Sequence, residues 1–135
     1  MLDLRNSADN DDRIVSNERY SDRIAEGCHF MGVRLKRVNF TRCDLYWSIW
    51  FQAELVDVTF EQCDLRGAAF NNAKLIRCRF VDTDVGTDAL GGRTDWGNVD
   101  LSTTTFVRCR GLANIICRYK PLARKAGGFW EGSDG

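Results

Sequence analysis

Large apolar residues recur at every fifth position through most of this 135-residue chain. The series runs unbroken from Phe30 to Leu90 and resumes, one residue out of step, from Trp96 to Phe106. An α-helix repeats at 3.6 residues and a strand at 2, so neither element explains a period of five. A short fixed period instead indicates a solenoid, in which each repeat packs only against its neighbours.

A second series of smaller residues lies two positions before each large one, and the other three positions of each unit are mostly polar. Each unit therefore turns one large and one small side chain inward, as one side of a four-sided coil with about twenty residues per turn would. The small series reads Cys28, Val33, Val38, Cys43, Ser48, Ala53, Val58, Cys63, Ala68, Ala73, Cys78 and Thr83.

A twenty-residue frame predicts which large residues stack. It places two aromatic columns on opposite sides of the core and leucines mostly on the other two sides. We interpret the break near Gly91-Gly92 as a small loop at one corner, equivalent to a one-residue slip. The predicted columns are Phe30, Trp50, Phe70, Leu90; Phe40, Phe60, Phe80, Leu101; Leu35, Leu55, Leu75, Trp96; and Leu45, Leu65, Val85, Phe106.

The units resemble the pentapeptide-repeat family, whose loose consensus is Ala-(Asp/Asn)-Leu-X-X. Good matches are Cys43-Asp44-Leu45, Ala53-Glu54-Leu55, Cys63-Asp64-Leu65, Ala73-Lys74-Leu75 and Val99-Asp100-Leu101. The resemblance implies an all-β fold, a right-handed quadrilateral β-helix, here with about four coils.

Three segments follow from this pattern. Residues 1–24 carry no five-residue series, and we expect a polar tail and the start of an N-terminal cap there. Residues 25–111 form the predicted β-helix. In residues 112–135, apolar residues at helical spacing predict a short capping helix, limited by Pro121 and followed by a basic, Gly-rich tail.

Composition argues against enzymatic chemistry. The chain has one histidine, His29, in an outward position, and no serine elbow, phosphate-binding loop or pair of converging carboxylates. Five of the six cysteines occupy small inward positions, where we expect free buried thiols, without zinc or another cofactor. The N-terminus does not read as a signal peptide and no apolar stretch is long enough to span a membrane, so we expect a cytoplasmic protein.

An acidic stripe is the first candidate binding surface. Asp44, Asp64 and Asp84 are twenty residues apart and should stack on one side, and residues 44–107 hold ten acidic against five basic residues, a net charge of −5. A simple preference for Asp before the central residue also explains this row. Further acidic candidates are Glu54, Asp57, Glu61 and Asp82.

The family resemblance implies a function for such a stripe. Several pentapeptide-repeat proteins are acidic rods that mimic DNA, the best known of them binding DNA gyrase. We therefore expect an inhibitor that blocks the DNA site of a bacterial nucleic-acid machine, such as a topoisomerase or a CRISPR surveillance complex. Direct nucleic-acid binding is not expected, because the basic clusters lie at opposite ends of the rod.

An outward apolar cluster is the second candidate surface. So many apolar groups in outward positions often mark an interface, although the N-terminal segment or the capping helix could instead cover them. This alternative predicts an immunity or scaffold protein that binds a cognate toxin or another partner, as a monomer or homodimer. The cluster comprises Met31, Tyr46, Trp47, Ile49 and Phe51.

Overall fold

The computed structural model describes residues 1–86 and 93–111, together with the backbone of the strand Phe129–Glu131. These residues contain no helix, and their strands are three residues long with the middle residue buried in each strand up to β9. The strands are β1 Ile14–Ser16, β2 Arg19–Ser21, β3 Arg34–Lys36, β4 Asn39–Thr41, β5 Glu54–Val56, β6 Thr59–Glu61, β7 Lys74–Ile76, β8 Arg79–Val81, β9 Thr105–Val107 and β10 Phe129–Glu131.

All strand pairs are parallel, and the strands form two sheets of orders β1-β3-β5-β7 and β10-β9-β8-β6-β4-β2. Leu35, Leu55 and Leu75 are in register on one sheet, which we name the second side of the coil. Phe40, Phe60 and Phe80 are in register on the other sheet, the third side. Isolated bridges connect the coils along the first side, which contains Trp50, and along the fourth side, which contains Leu65. The predicted all-β fold of stacked parallel coils is confirmed.

Two aromatic columns fill opposite halves of the core. On the first side Phe30 stacks on Trp50 with ring centroids 4.1 Å apart, and Trp50 stacks on Phe70 at 5.8 Å. On the third side Phe60 stacks on Phe80 at 5.0 Å. The two columns meet edge to face, as Trp50 and Phe60 do at 5.6 Å and 88°, a favourable arrangement of ring quadrupoles. The facing aromatic columns predicted from the period are therefore present.

The predicted columns are wrong after the break in the series. Trp96 stacks on Phe70 and Phe106 stacks on Phe80, each 26 residues further along the chain. Trp96 thus continues the first side and Phe106 the third, which puts Leu101 on the second side. An insertion of six residues adds one whole unit and shifts the five-residue series by one position. A slip of one residue shifts the series by the same amount, so the two give the same pattern in the sequence. Leu90 and Gly91-Gly92 lie outside the described residues.

The coil begins well before residue 25, so the expected polar tail over residues 1–24 is also wrong. Strand β1 pairs with β3 and β2 pairs with β4, while Val15 and Tyr20 are buried like the central residues of later units. Asn10 is fully buried at the preceding central position. Its side chain accepts from the N–H of Asp3 at 2.6 Å and donates to the Asp3 carbonyl at 2.9 Å. This polar centre interrupts the apolar series without interrupting the coil.

The first residues cover the N-terminal end of the coil. Leu2 and Leu4 are buried, and the Leu2 N–H donates to the Tyr20 hydroxyl at 2.9 Å. At the opposite end, β10 pairs with β9 in parallel. The predicted capping helix after residue 111 lies outside the described residues. Within the part of the chain that the structure describes, no helix is long and apolar enough to cross a membrane.

Corners of the coil require left-handed backbone. In most units the second residue after the centre has a φ between about 49° and 72°, and only some of these residues are glycines. On the first and fourth sides this residue is the third of a turn, closed for example by the Ser48 N–H donating to the Leu45 carbonyl at 3.1 Å. Side chains flanking these corners point outward, and they form both candidate surfaces.

Candidate functional site

Asp44, Asp64 and Asp84 lie in one row along the fourth side, joined by successive bridges. Each carboxylate accepts the backbone N–H two residues later, at 3.1 Å from Tyr46, 3.0 Å from Arg66 and 2.9 Å from Gly86. Elsewhere Asp9, Asp95 and Asp100 accept the equivalent N–H in the same way. An Asp before the central residue therefore satisfies a turn donor, so the row has a structural cause independent of any partner.

Arginines neutralise much of the predicted acidic stripe. Arg66 contacts Asp64 at 2.7 Å and Asp84 at 3.8 Å. Of the further candidates, Glu54 pairs with Arg34 at 3.4 Å, Asp57 with Arg77 at 2.8 Å and Asp82 with Arg108 at 2.8 Å; Glu61 is exposed at the end of β6. Hydrogen bonds from Arg77 and Arg108 lower the pKa of Asp57 and of Asp82, so these carboxylates are charged and paired.

The fourth side carries a groove of about 730 Å³. Its charged lining carries both signs, with four aspartates and three arginines. Near its N-terminal end, the Asp44 carboxylate raises the pKa of Glu26. The groove is lined by Arg42, Cys43, Asp44, Gln62, Cys63, Asp64, Asp82, Thr83, Asp84, Arg108 and Arg110.

The apolar cluster occupies the first side and the corners that flank it. Ile49 pairs with His29 and with Ala69 in the neighbouring coils, and Phe51 lies one coil from Met31. Trp47 is 48% exposed and Met31 36%, while Tyr46, Ile49 and Phe51 are half-buried. The structure therefore brings the five predicted residues together on one surface, which we name the aromatic patch.

The neighbouring coil leaves room for the Trp47 ring on this surface. Its φ is 60°, a conformation that its neighbours in the same corner, Gly27 and Gly67, adopt without strain. A Cβ atom on Gly67 would lie 2.8 Å from the indole nitrogen of Trp47, so the absence of a side chain there makes room for the ring. The Arg66 guanidinium lies over the Tyr46 ring at 5.5 Å. Sequence reasoning missed Gly67 and Arg66, although their position one coil after Trp47 and Tyr46 was visible.

The described cysteines are buried free thiols, as expected. Their sulfur atoms donate to backbone carbonyls, as Cys28 does to Arg5 at 2.8 Å and Cys109 to Phe80 at 3.1 Å. His29 is exposed. In residues 1–86 and 93–111, no three His, Cys, Asp or Glu side chains converge in the manner of metal ligands.

Comparison with known proteins agrees with this architecture. Residues 53–85 match the sequence model of pentapeptide repeats in eight copies. No curated protein matches the chain.

Solved structures of pentapeptide-repeat proteins also match. A thylakoid-lumen protein of Arabidopsis thaliana is 21% identical over 70% of this chain and 66% of its own, with a TM-score of 0.44. Rfr23 of the cyanobacterium Cyanothece 51142 is 11% identical over 73% and 88%, with a TM-score of 0.40. The plasmid-mediated fluoroquinolone resistance protein QnrB1 is 20% identical over 77% and 45%, with a TM-score of 0.38. The chain thus spans less than two thirds of the Arabidopsis protein and of QnrB1.

Proposed function

Since the chain is a pentapeptide-repeat protein with a core filled by its own side chains, we propose that it is a non-enzymatic protein that binds a protein partner through its outer surface. We further propose that the aromatic patch makes the principal contact.

The exposed Trp47 carries this proposal. A tryptophan at a φ of 60° costs about 1–2 kcal/mol relative to a right-handed conformation, whereas glycine would cost little there. About half of the residue's surface is nevertheless in solvent, and that half contributes little to folding. Left-handed corners recur throughout the coil, so the conformation alone does not distinguish this one. Tryptophan, however, is enriched among residues that dominate binding energy, and an exposed tryptophan here favours an interface at this corner.

A binding experiment tests the patch with substitutions copied from neighbouring coils. Trp47→Gly reproduces Gly67, and Phe51→Asn reproduces Asn71, so both variants retain residues that the coil already accommodates. The control is Ile76→Lys, which removes an exposed apolar side chain on the second side and reproduces Lys36. Immobilised protein is exposed to bacterial lysate, and the retained partner is quantified.

We expect the double patch variant to lose binding at least tenfold, because truncation of a central aromatic contact typically costs 2 kcal/mol or more. The Ile76→Lys protein should bind like the wild type. Unchanged retention by a correctly folded double variant would exclude the patch as the contact surface.

DNA mimicry by the fourth side is the second candidate, favoured by the ordered row of Asp44, Asp64 and Asp84. Coils about 4.8 Å apart give one row charge per coil, whereas duplex DNA carries one charge per 1.7 Å of axis. The arginines in the groove weaken the field further. We therefore rank this candidate below the patch.

Asparagine replacements separate the two candidates. Asn retains the side-chain oxygen that accepts the turn N–H, so changing all three aspartates removes charge and preserves the turns. Under mimicry, the triple variant should lose the partner, excess duplex DNA should displace it, and binding should weaken steeply with salt. Binding that persists in the triple variant and resists duplex DNA would eliminate mimicry.

A further inference from the structure

Cys43 and Cys63 occupy the same inward position in two successive coils of the fourth side. The bridge between Asp44 and Asp64 fixes their register, and the Asp64 N–H donates to the Cys43 carbonyl at 3.1 Å. Neighbouring parallel strands lie about 4.8 Å apart, within the range of about 4.4–6.8 Å over which Cα atoms accommodate a disulfide. Backbone geometry therefore permits a bond between the two sulfur atoms.

The other described cysteines lack such a neighbour. The residues that stack on Cys28 at the same position in the adjacent coils are Ala8 and Ser48. The residue one coil before Cys78 is Val58. Cys109 lies one coil after Thr83 at the same position, and the Thr83 hydroxyl donates to the Phe60 carbonyl at 3.1 Å. Cys43 and Cys63 are thus the one vertical thiol pair in residues 1–86 and 93–111. Both residues border the groove of the fourth side and are only 2% and 4% exposed.

We propose that Cys43 and Cys63 are a modification site: a peroxide converts the two thiols to a disulfide, and a thiol reductant restores them. The inference does not depend on which surface binds the partner.

The oxidation has two steps. The Cys43 thiolate attacks one oxygen of hydrogen peroxide and the O–O bond breaks, which leaves a sulfenic acid on Cys43. The departing hydroxide takes up a proton to form water. The Cys63 sulfur, as it loses its proton, then attacks the Cys43 sulfur. The S–O bond breaks and hydroxide leaves, taking up that proton to form a second water. Two thiols lose two electrons in total, and one peroxide is reduced to two waters.

The environments of the two thiols agree with this order. The neighbouring Cys63 thiol lowers the pKa of Cys43 to about 7, and the Cys43 thiol together with burial raises the pKa of Cys63. Cys43 is therefore the group that supplies a thiolate near neutral pH. Burial raises the pKa of Cys78 to about 11, which leaves that thiol protonated and unreactive.

The sequence provides a direct readout. Cleavage after Arg42 and Arg66 yields one tryptic peptide, residues 43–66, that contains only these two cysteines, whereas Cys28, Cys78 and Cys109 fall in other peptides. The reduced full-length protein is treated with a small excess of hydrogen peroxide, and free thiols are then alkylated. We expect peptide 43–66 to lose about 2 Da and to escape alkylation, and dithiothreitol to reverse both changes.

Three variants complete the test. Cys43→Ser and Cys63→Thr should abolish the 2 Da loss; both substitutes occur at equivalent positions, as Ser48 and Thr83. Cys78→Ser, the matched control, should leave the loss in peptide 43–66 unchanged. The proposal is overturned if that peptide remains fully alkylated after peroxide, if it gains oxygen without losing 2 Da, or if the main product is a disulfide-linked dimer.

Discussion

At the residue scale, the corners explain which side chains the coil accepts. Left-handed backbone suits Gly, Asn and Asp, and these residues fill many corners. Gln52, at a φ of 59°, is an exception that lies between Gly32 and Asn72 in the same column of corners. Its side chain is exposed, so its effect on stability is largely conformational.

We expect Gln52→Gly to raise the free energy of unfolding by about 1 kcal/mol, with Gln52→Asn giving a smaller gain. Urea denaturation monitored by circular dichroism measures both. Gly32→Ala should act in the opposite direction, because Gly32 has a φ of 68°, where a Cβ atom is strained and would also meet the Asp12 carboxylate. No gain from Gln52→Gly would show that the corner is unstrained.

A buried hydroxyl accepts the indole N–H of Trp50 in the core. The Trp50 indole N–H donates to the Ser48 hydroxyl at 2.8 Å, and that hydroxyl donates to the Leu45 carbonyl at 2.7 Å. One coil further, Phe70 has no polar group and its partner position holds Ala68. In these two coils the small inward residue therefore matches the large one beside it.

Ser48→Ala should cost about 1–3 kcal/mol of unfolding free energy, because it leaves the indole donor without its acceptor. In a Trp50→Phe background the same change should cost much less, since Ala with Phe reproduces the next coil. A double-mutant cycle by chemical denaturation gives this coupling. Equal costs in both backgrounds would mean that the hydrogen bond contributes nothing.

At the scale of elements, ion pairs connect successive coils along the corners. Arg42 pairs with Asp22 at 2.7 Å, Arg77 with Asp57 and Arg108 with Asp82, each between adjacent coils. The hydrogen bond from its arginine lowers the pKa of each aspartate. These pairs are exposed, so each contributes modestly to stability.

The lowered pKa values give stability a defined pH dependence. A carboxylate whose pKa is lower in the folded state stabilises the fold above its unfolded pKa of about 3.9, and this contribution disappears as the pH falls through the folded value. The urea midpoint should therefore decrease from pH 6 to pH 3. The decrease should be smaller in the Asp22→Asn, Asp57→Asn, Asp82→Asn triple variant. An identical decrease in both proteins would assign the pH dependence to other groups.

At the scale of the whole molecule, the first residues protect the end of the coil. Leu2 and Leu4 are buried there, whereas Met1 is 78% exposed. An uncovered coil end would present unpaired backbone groups to a second molecule.

Leu4→Asp should lower the melting temperature substantially and cause concentration-dependent association, because it places a charge in the covered end. Circular dichroism melting and light scattering measure the two effects. Met1→Asp is the control and should change neither. A monomeric Leu4→Asp protein of normal stability would show that this segment is not a cap.

The period of five predicted the coil, its four sides and the facing aromatic columns from sequence alone. It could not distinguish a slip of one residue from an insertion of six, which requires knowing that Trp96 stacks on Phe70. The series extends back to Tyr20 and Val15, so the coil there was predictable from the period. The unit around Asn10 was not, because its polar central residue is satisfied by the Asp3 backbone, which the sequence does not show. The arginines that pair with the acidic candidates were likewise missed, since a sum of charges does not show which groups pair.

The corner column of Asn17, Arg37, Asp57 and Arg77 has a consequence for how the chain finds its fold. A core of near-identical layers fits almost as well if one layer is omitted and the next is stacked in its place. That error would set Arg37 against Arg77, whereas correct stacking gives each arginine an oxygen acceptor, Asn17 or Asp57. The interior therefore does not distinguish one layer from another, whereas the corner pairs specify which layer stacks on which.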